Sequence, residues 1–322
     1  MTRAWHVKPI NRTVTARRKP PIASERPRGR LPDAVIIGAA KSGTTTLANH
    51  LAQHPNIFLC PFKEPEFFSH DDNFARGLDW YCGLFERARD DQLCIEASTA
   101  YSRSPQHPHT ARRLHLHRPD AKLIYLMRHP VERAYSHFVH RYTKELYRDR
   151  PIDRTFEEHV LEDPLCLDSS DYRLQIGKVL EYFPRSQLLF LFTHELATDE
   201  AATLRKVCDF LGLPATPFQD AAGIGTRHAE TADFVQGRVR TAVTDRIKAV
   251  PGVKALLPLV PREAREAGYR CLRALGMGRR AARDLDPPRL SPRSRSLLLR
   301  RFHDSNRWVA DLTGADLSRW DR

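Results

Sequence analysis

The run Ala34–Ile37 (AVII) is short, continuous and apolar, the pattern of a strand covered on both faces in a parallel sheet. It breaks into GAAKSGTTT, after which Leu47 and Leu51 fall on one helical face. Asn56–Cys60 and Gln92–Ser98 read as second and third strands, and Ala121–Arg128 (AKLIYLMR) carries the strongest strand signal in the chain. Pro130 then opens a helix at a first-turn position, where its missing N–H costs nothing. Val131, Ala134, Tyr135, Phe138 and Tyr142 recur along it at helical spacing. Gln187–Leu196 (QLLFLFTHEL) reads as a further buried strand, followed by a helix that stops near Gly212-Leu213-Pro214. Strands alternating with helices predict an α/β fold with right-handed crossovers, a central parallel sheet and helices on both faces.

Beyond about Asp233 the pattern turns to basic helical stretches broken at Pro251, Pro258 and Pro261. A cap at Ser291 or Ser294 and apolar positions at Leu298, Phe302 and Val309 predict a docked closing helix. The expected plan is a basic, Pro-rich, disordered tail over 1–30 and one domain over 31–322. Within that domain we expect a core (31–232), a basic helical lid or insertion (233–290) and the closing segment (291–322).

Composition narrows the class. With 322 residues, 41% hydrophobic and 28% charged, the chain is globular, which excludes a disordered or collagen-like protein. No apolar run approaches the roughly 18 residues of a spanning helix, and the first 30 residues lack the apolar region of a secretory signal. The six cysteines show neither CxxC pairing nor zinc spacing and read as buried free thiols. A cytoplasmic location is the expectation.

The net charge of +13 is unevenly placed. Residues 1–30 hold nine basic residues and one acidic, and residues 238–301 hold 17 basic and five acidic. The body between them is mildly acidic, so a nucleic-acid-binding stripe along the whole fold is disfavoured. Segment 238–301 reads most simply as solvated arginine-rich helices. Its functional reading is a lid over an acidic acceptor or a peripheral contact with an anionic membrane surface.

The candidate chemistry begins at Gly38–Thr46. A buried strand ending in Gly, then a Gly/Ser/Thr loop, then a helix forms an anion cradle, because N–H groups and the helix dipole converge there. Gly38 and Gly43 admit close approach, Lys41 supplies charge, and Ser42, Thr44, Thr45 and Thr46 supply further donors. In a nucleoside-triphosphate P-loop, G-x-x-x-x-G-K-[ST], the lysine follows the second glycine; here Lys41 precedes Gly43. A kinase also needs a carboxylate near a neighbouring strand end to hold magnesium, and the best such strand ends in Arg128. That guanidinium suits bidentate phosphate contact, and Ser136 follows in the second turn of the next helix. Two phosphates on one ligand, held without a metal, are implied.

These residues carry a resemblance. GAAKSGTTTL resembles the 5′-phosphosulfate loop of sulfotransferases that use 3′-phosphoadenosine 5′-phosphosulfate (PAPS), and RHPVERAYSHF resembles their 3′-phosphate element. KEPEFF (Lys63–Phe68) is similar to the acidic segment of the heparan-sulfate-type branch. GLDWY (Gly77–Tyr81), IEASTAY (Ile95–Tyr101) and the closing DLSRW (Asp316–Trp320) also stand where that family and its bacterial members have them. The resemblance implies a P-loop-like three-layer fold, PAPS as sulfuryl donor and no metal. It implies Lys41, Ser42, Gly43, Thr44, Thr45 and Thr46 at the 5′-phosphosulfate, Arg128 and Ser136 at the 3′-phosphate, and Glu64 as base, with Lys63 a second cation.

Glu66, on the same side as Glu64 if the chain is extended, is the rival base, and His70 a weaker one. Where heparan-sulfate-type enzymes carry a lysine, this chain has Ala97, and no late Lys-Gly-Arg loop is present. The expected function is sulfuryl transfer to a hydroxyl or amine of a glycan, lipid or small molecule. A small-molecule kinase and a non-catalytic nucleotide-binding protein are the alternatives.

Overall fold

The computed structural model describes residues 29–147, 155–214, 287 and 289–322. All but the last two residues of the expected tail (1–30) and nearly all of the expected lid, with Cys271, lie outside the described residues. The chain enters through β1 (Ala34–Gly38), turns into α1 (Thr44–Leu51) and forms β2 (Ile57–Leu59). Two short helices, α2 (Asp71–Phe74) and α3 (Leu78–Gly83), precede β3 (Leu93–Ala97), which is followed by α4 (Thr110–His117) and β4 (Lys122–Met127). The long α5 (Pro130–Tyr147) starts at Pro130, as the sequence predicts, and leads to α6 (Phe156–Glu162), α7 (Leu165–Asp168) and α8 (Tyr172–Leu180). Then come β5 (Leu188–Phe192), α9 (Thr193–Thr198) and α10 (Glu200–Leu211), and the closing helix spans Pro292–Thr313.

All five strands are parallel, in the order β2-β3-β1-β4-β5. The central β1 pairs Ala34 with Ile95 on one side and with Lys122 on the other. Alternation along each strand divides the core into two layers. Val35, Ile37, Leu123, Tyr125 and Met127 face Ile176 and Val179 of α8, together with Val309 and Trp320 of the closing segment. Ala34, Ile36, Ile124 and Leu126 face Leu47 and Leu51 of α1 and Leu204 and Val207 of α10. Val131 and Phe138 of α5 join Phe156, Leu298 and Phe302 in a third cluster that docks the closing helix.

The α/β architecture is thus as the sequence predicts, with two refinements. The strand expected over Gln187–Leu196 stops at Phe192, and Thr193 begins a helix. The hydroxyl of Thr193 shares its one proton between the carbonyls of Ser42 (2.7 Å) and Met127 (3.0 Å), which ties down the chain where it leaves the sheet. A continuous apolar run cannot reveal that change, because strand and buried helix look alike in it. Of the two proposed caps, Ser291 is the cap, its Oγ accepting from the Ser294 N–H at 3.1 Å. The five described cysteines are buried and free. Among the described residues no helix is long and apolar enough to cross a membrane.

Candidate active site

The chain leaves β1 toward β2 and leaves β4 toward β5, so these adjacent strands diverge at their carboxyl ends. Open α/β sheets bind ligands in the crevice such a divergence creates. The loop Ala39–Gly43 follows β1, and Arg128 follows β4. Gly38 is required beneath the loop: a Cβ there would stand 2.2 Å from Ser102 Oγ and 2.9 Å from a Tyr125 ring carbon. Lys41 (φ 70°) and Gly43 (φ 97°) both take left-handed backbone, with Ser42 between them outside that region. Alternation of this kind turns N–H groups toward one concavity, although the Ser42 N–H donates to Ala39 O within the loop at 3.2 Å. α1 begins at Thr44 with no side-chain cap and no acidic residue in its first turn, which leaves its dipole unopposed. The hydroxyls divide: Ser42 and Thr44 are buried, whereas Thr45 is exposed and Thr46 half-buried. Lys63 Nζ donates to Thr45 Oγ1 at 2.5 Å and so brings a second cation to the cradle.

Lys63–Phe68 crosses the end of β3. It is not extended: Glu64 (φ 54°) and Glu66 (φ 51°) are both left-handed, a conformation costing a non-glycine residue about 1 kcal/mol or more. The Glu64 N–H donates to Ala97 O (3.2 Å), the Glu66 N–H to Ser98 Oγ (3.0 Å) and the Phe68 N–H to Tyr101 Oη (3.2 Å). These bonds hold the strained path. The extended chain that would set the two glutamates on one side is therefore not formed, and their carboxylates have different partners. Glu64 Oε1 accepts from Thr99 Oγ1 at 3.2 Å, and Thr99 Oγ1 in turn accepts from Arg103 at 3.2 Å. Glu66 Oε2 lies 3.0 Å from His70 Nε2, which joins the two rival bases to each other rather than to Glu64.

Below this loop Glu96 is fully buried. Its carboxylate accepts from the Tyr81 hydroxyl, from Ser98 Oγ (2.5 Å) and from the Tyr101 hydroxyl (3.2 Å). Burial raises its pKa to about 7 against the opposing pull of those three hydroxyls. Ser98 and Tyr101 are the same groups that accept from the Glu66 and Phe68 N–H groups, so Glu96 braces the loop from beneath. The sequence places Glu96 inside a motif but gives it no role. Its pattern as the one carboxylate inside an otherwise buried strand was the available signal.

At β4, the Arg128 N–H donates to Tyr172 Oη (3.1 Å), whose hydroxyl donates back to Arg128 O (2.7 Å). Tyr172 packs on Trp320 of the DLSRW segment, ring centroids 5.7 Å apart, so the closing segment supports this strand end. Arg128 Nη2 stands 4.0 Å from Glu132 Oε2, and Glu132 also binds Arg295 of the closing helix at 2.6 Å. Ser136 is four residues beyond Glu132 on α5, so these two residues share one face of the helix. Sequence reading missed Arg133, which is fully buried and donates to Ser170 Oγ (2.7 Å), Ala40 O (3.0 Å), His137 Nδ1 (3.3 Å) and Cys166 O (2.8 Å). Burial and the neighbouring Arg133 push His137 down to about 2, so its ring is a neutral acceptor.

A family profile described as "Sulfotransferase domain" matches residues 31–241. Mouse heparan sulfate glucosamine 3-O-sulfotransferase 6 is 35% identical over 201 residues, covering 60% of this chain and 56% of that protein. The Caenorhabditis briggsae bifunctional heparan sulfate N-deacetylase/N-sulfotransferase 1 is 31% identical over 207 residues, 59% of this chain and 23% of that protein. The chain thus spans about half or less of the length of the curated relatives it matches. Among solved structures, a sulfotransferase from Alicyclobacillus acidocaldarius has the same fold, with a TM-score of 0.62 at 24% identity, over 91% of this chain and 100% of that one. With the profile covering the cradle, the loop of Glu64 and the Arg128 strand end, this chain belongs to the sulfotransferase domain family.

Proposed function

We propose that the chain transfers a sulfuryl group from PAPS to a hydroxyl or amine of its acceptor. The observation that carries this reading is the pair of cationic anchors at the sheet's divergence. One is the N–H cradle with Lys41 and Lys63 after β1; the other is Arg128 with Ser136 after β4. A nucleotide with phosphates at both its 3′ and 5′ positions matches two anchors, and the cradle's amides and cations suit phosphate without a divalent ion. When bound, the donor supplies a sulfur atom to which the acceptor oxygen or nitrogen bonds as the bond from sulfur to the 5′-phosphate oxygen breaks.

The chain's own residues then act on proton and charge. Glu64 takes the proton the acceptor loses, its carboxylate aimed by Thr99. Lys41, the head of α1 and Lys63 neutralise charge growing on the departing phosphate oxygen. The kinase alternative is disfavoured by Arg128 at the strand end, where a magnesium-holding carboxylate would be needed. The relatives' names specify heparan sulfate glucosamine; we leave the acceptor at a hydroxyl or amine, since Ala97 stands at the strand end below Glu64. Buried free thiols support a reducing, cytoplasmic setting.

Melting curves test the donor class. Adenosine 3′,5′-bisphosphate without magnesium should raise the melting temperature, and ATP with magnesium much less. The reverse ranking points to a kinase. Incubation with 35S-labelled PAPS and a broad acceptor panel then tests transfer, and binding without transfer to any acceptor points to a non-catalytic nucleotide-binding protein.

A further inference from the structure

Arg133 is a buried cation with no carboxylate partner among the described residues. Its acceptors are two main-chain carbonyls, a serine hydroxyl and a neutral imidazole. A charge held this way in a protein interior is costly, and simple packing would be served as well by an apolar side chain. The bond to Ala40 O explains its placement. A trans peptide points its C=O and its N–H in opposite directions. Drawing the Ala40 carbonyl down onto the guanidinium therefore turns the Lys41 N–H outward, to the cradle side. Lys41 is also the residue whose backbone is left-handed at φ 70°, a conformation kept only where neighbours impose it. From its other nitrogens the same guanidinium grips Cys166 in α7 and Ser170 just after it, so its fork is fixed before it reaches the loop.

We propose that Arg133 is a positioning residue for the 5′ end of the sulfuryl donor: it sets the Ala40–Lys41 peptide that completes the phosphate cradle and adds positive potential directly beneath it. This rests on the donor reading above and extends it to a residue that does not touch the nucleotide. It differs from a structural role in one respect. The Arg133 guanidinium bonds the β1 loop, α7 and the residues flanking it, whereas the 3′-phosphate anchor is Arg128 and Ser136, to neither of which that guanidinium hydrogen-bonds among the described residues. Losing the fork should therefore weaken ligands in proportion to what they place at the 5′ position.

The test is calorimetric titration of the full chain with adenosine 3′,5′-bisphosphate and with adenosine 3′-monophosphate, at one salt concentration. Arg133→Lys, which keeps the charge and loses the fork, should weaken the bisphosphate about tenfold and the 3′-monophosphate less than about twofold. Ser170→Ala keeps the arginine but frees its Nε–H, and should show the same selectivity at about threefold. It decides the matter if Arg133→Lys does not fold. Equal losses for both ligands, or no loss for either, would overturn the proposal while leaving the donor reading intact. A wild-type chain that binds neither nucleotide would remove the donor reading and this inference with it.

Discussion

Two buried charges of opposite sign sit under the two halves of this site, and they are built alike. Arg133 lies beneath the donor loop and Glu96 beneath the loop of Glu64; both are fully buried, and among the described residues both are satisfied by neutral groups rather than by a counter-ion. The donor half presents N–H groups and cations. The base half presents carboxylates arranged by hydroxyls. In each, a strained left-handed stretch of non-glycine residues carries the chemistry: Lys41 in one, Glu64 and Glu66 in the other. Pairing the two charges with each other would have cancelled both fields. Kept apart, Arg133 on α5 and Glu96 on β3, each holds its own loop.

The largest effect should come from the residue that touches the acceptor's proton. Glu64→Gln should lower turnover about a hundredfold or more while leaving the affinity for adenosine 3′,5′-bisphosphate unchanged, as read by steady-state rates and calorimetry. Glu66→Gln, which loses only its contact with His70, should cost far less. If Glu66→Gln is the inactive variant, the base is Glu66. On the donor half the order reverses. Arg128→Ala should weaken the bisphosphate about tenfold or more before turnover at saturation falls, since it removes a charged fork from a phosphate.

Stability should separate the two halves by pH, through Glu96 on one side and His137, the imidazole beside Arg133, on the other. Glu96 titrates near 7 in the folded chain and near the ordinary 4.5 when unfolded, so between these values the folded state holds a proton that the unfolded state has lost. Its stability contribution is therefore present below about pH 4.5 and is lost as pH rises through 7. Glu96→Gln should gain on wild type across that window by about 3 kcal/mol in denaturant melts, with little change at pH 4. His137 runs the other way: neutral when folded down to about 2, it charges in the unfolded chain below its usual 6.5. Stability drawn from it is lost as pH falls below 6.5, by about 1 kcal/mol per pH unit, and His137→Gln should flatten that slope. A wild-type slope that neither substitution alters would break the comparison.

How much of this was legible in the sequence follows the distance between partners. The cradle is nine consecutive residues, so strand, glycines and lysine announce it together. Arg128 and Ser136 are eight apart on one strand–helix unit and are equally local. The braces are not local: Arg133 meets Ala40 from 93 residues away and Ser170 from 37, and a main-chain carbonyl leaves no trace in residue type. Glu96 stood in view, yet its partners Tyr81 and Tyr101 reach it only through the packing of α3 and of the turn after β3. The left-handed path at Glu64 and Glu66 was also unreadable, because neither is a glycine and the bonds imposing it come from the end of β3. The end of β5 was hidden by an apolar run that continues into a helix.

The most direct measurement of the central claim is a crystal structure of the chain with adenosine 3′,5′-bisphosphate, grown without divalent metal. The account predicts the 5′-phosphate on the N–H groups of Lys41 and of Gly43–Thr46, with the Lys41 side chain beside it, and the 3′-phosphate on Arg128 and Ser136. A nucleotide bound the other way round, or seated away from the divergence of β1 and β4, would contradict it.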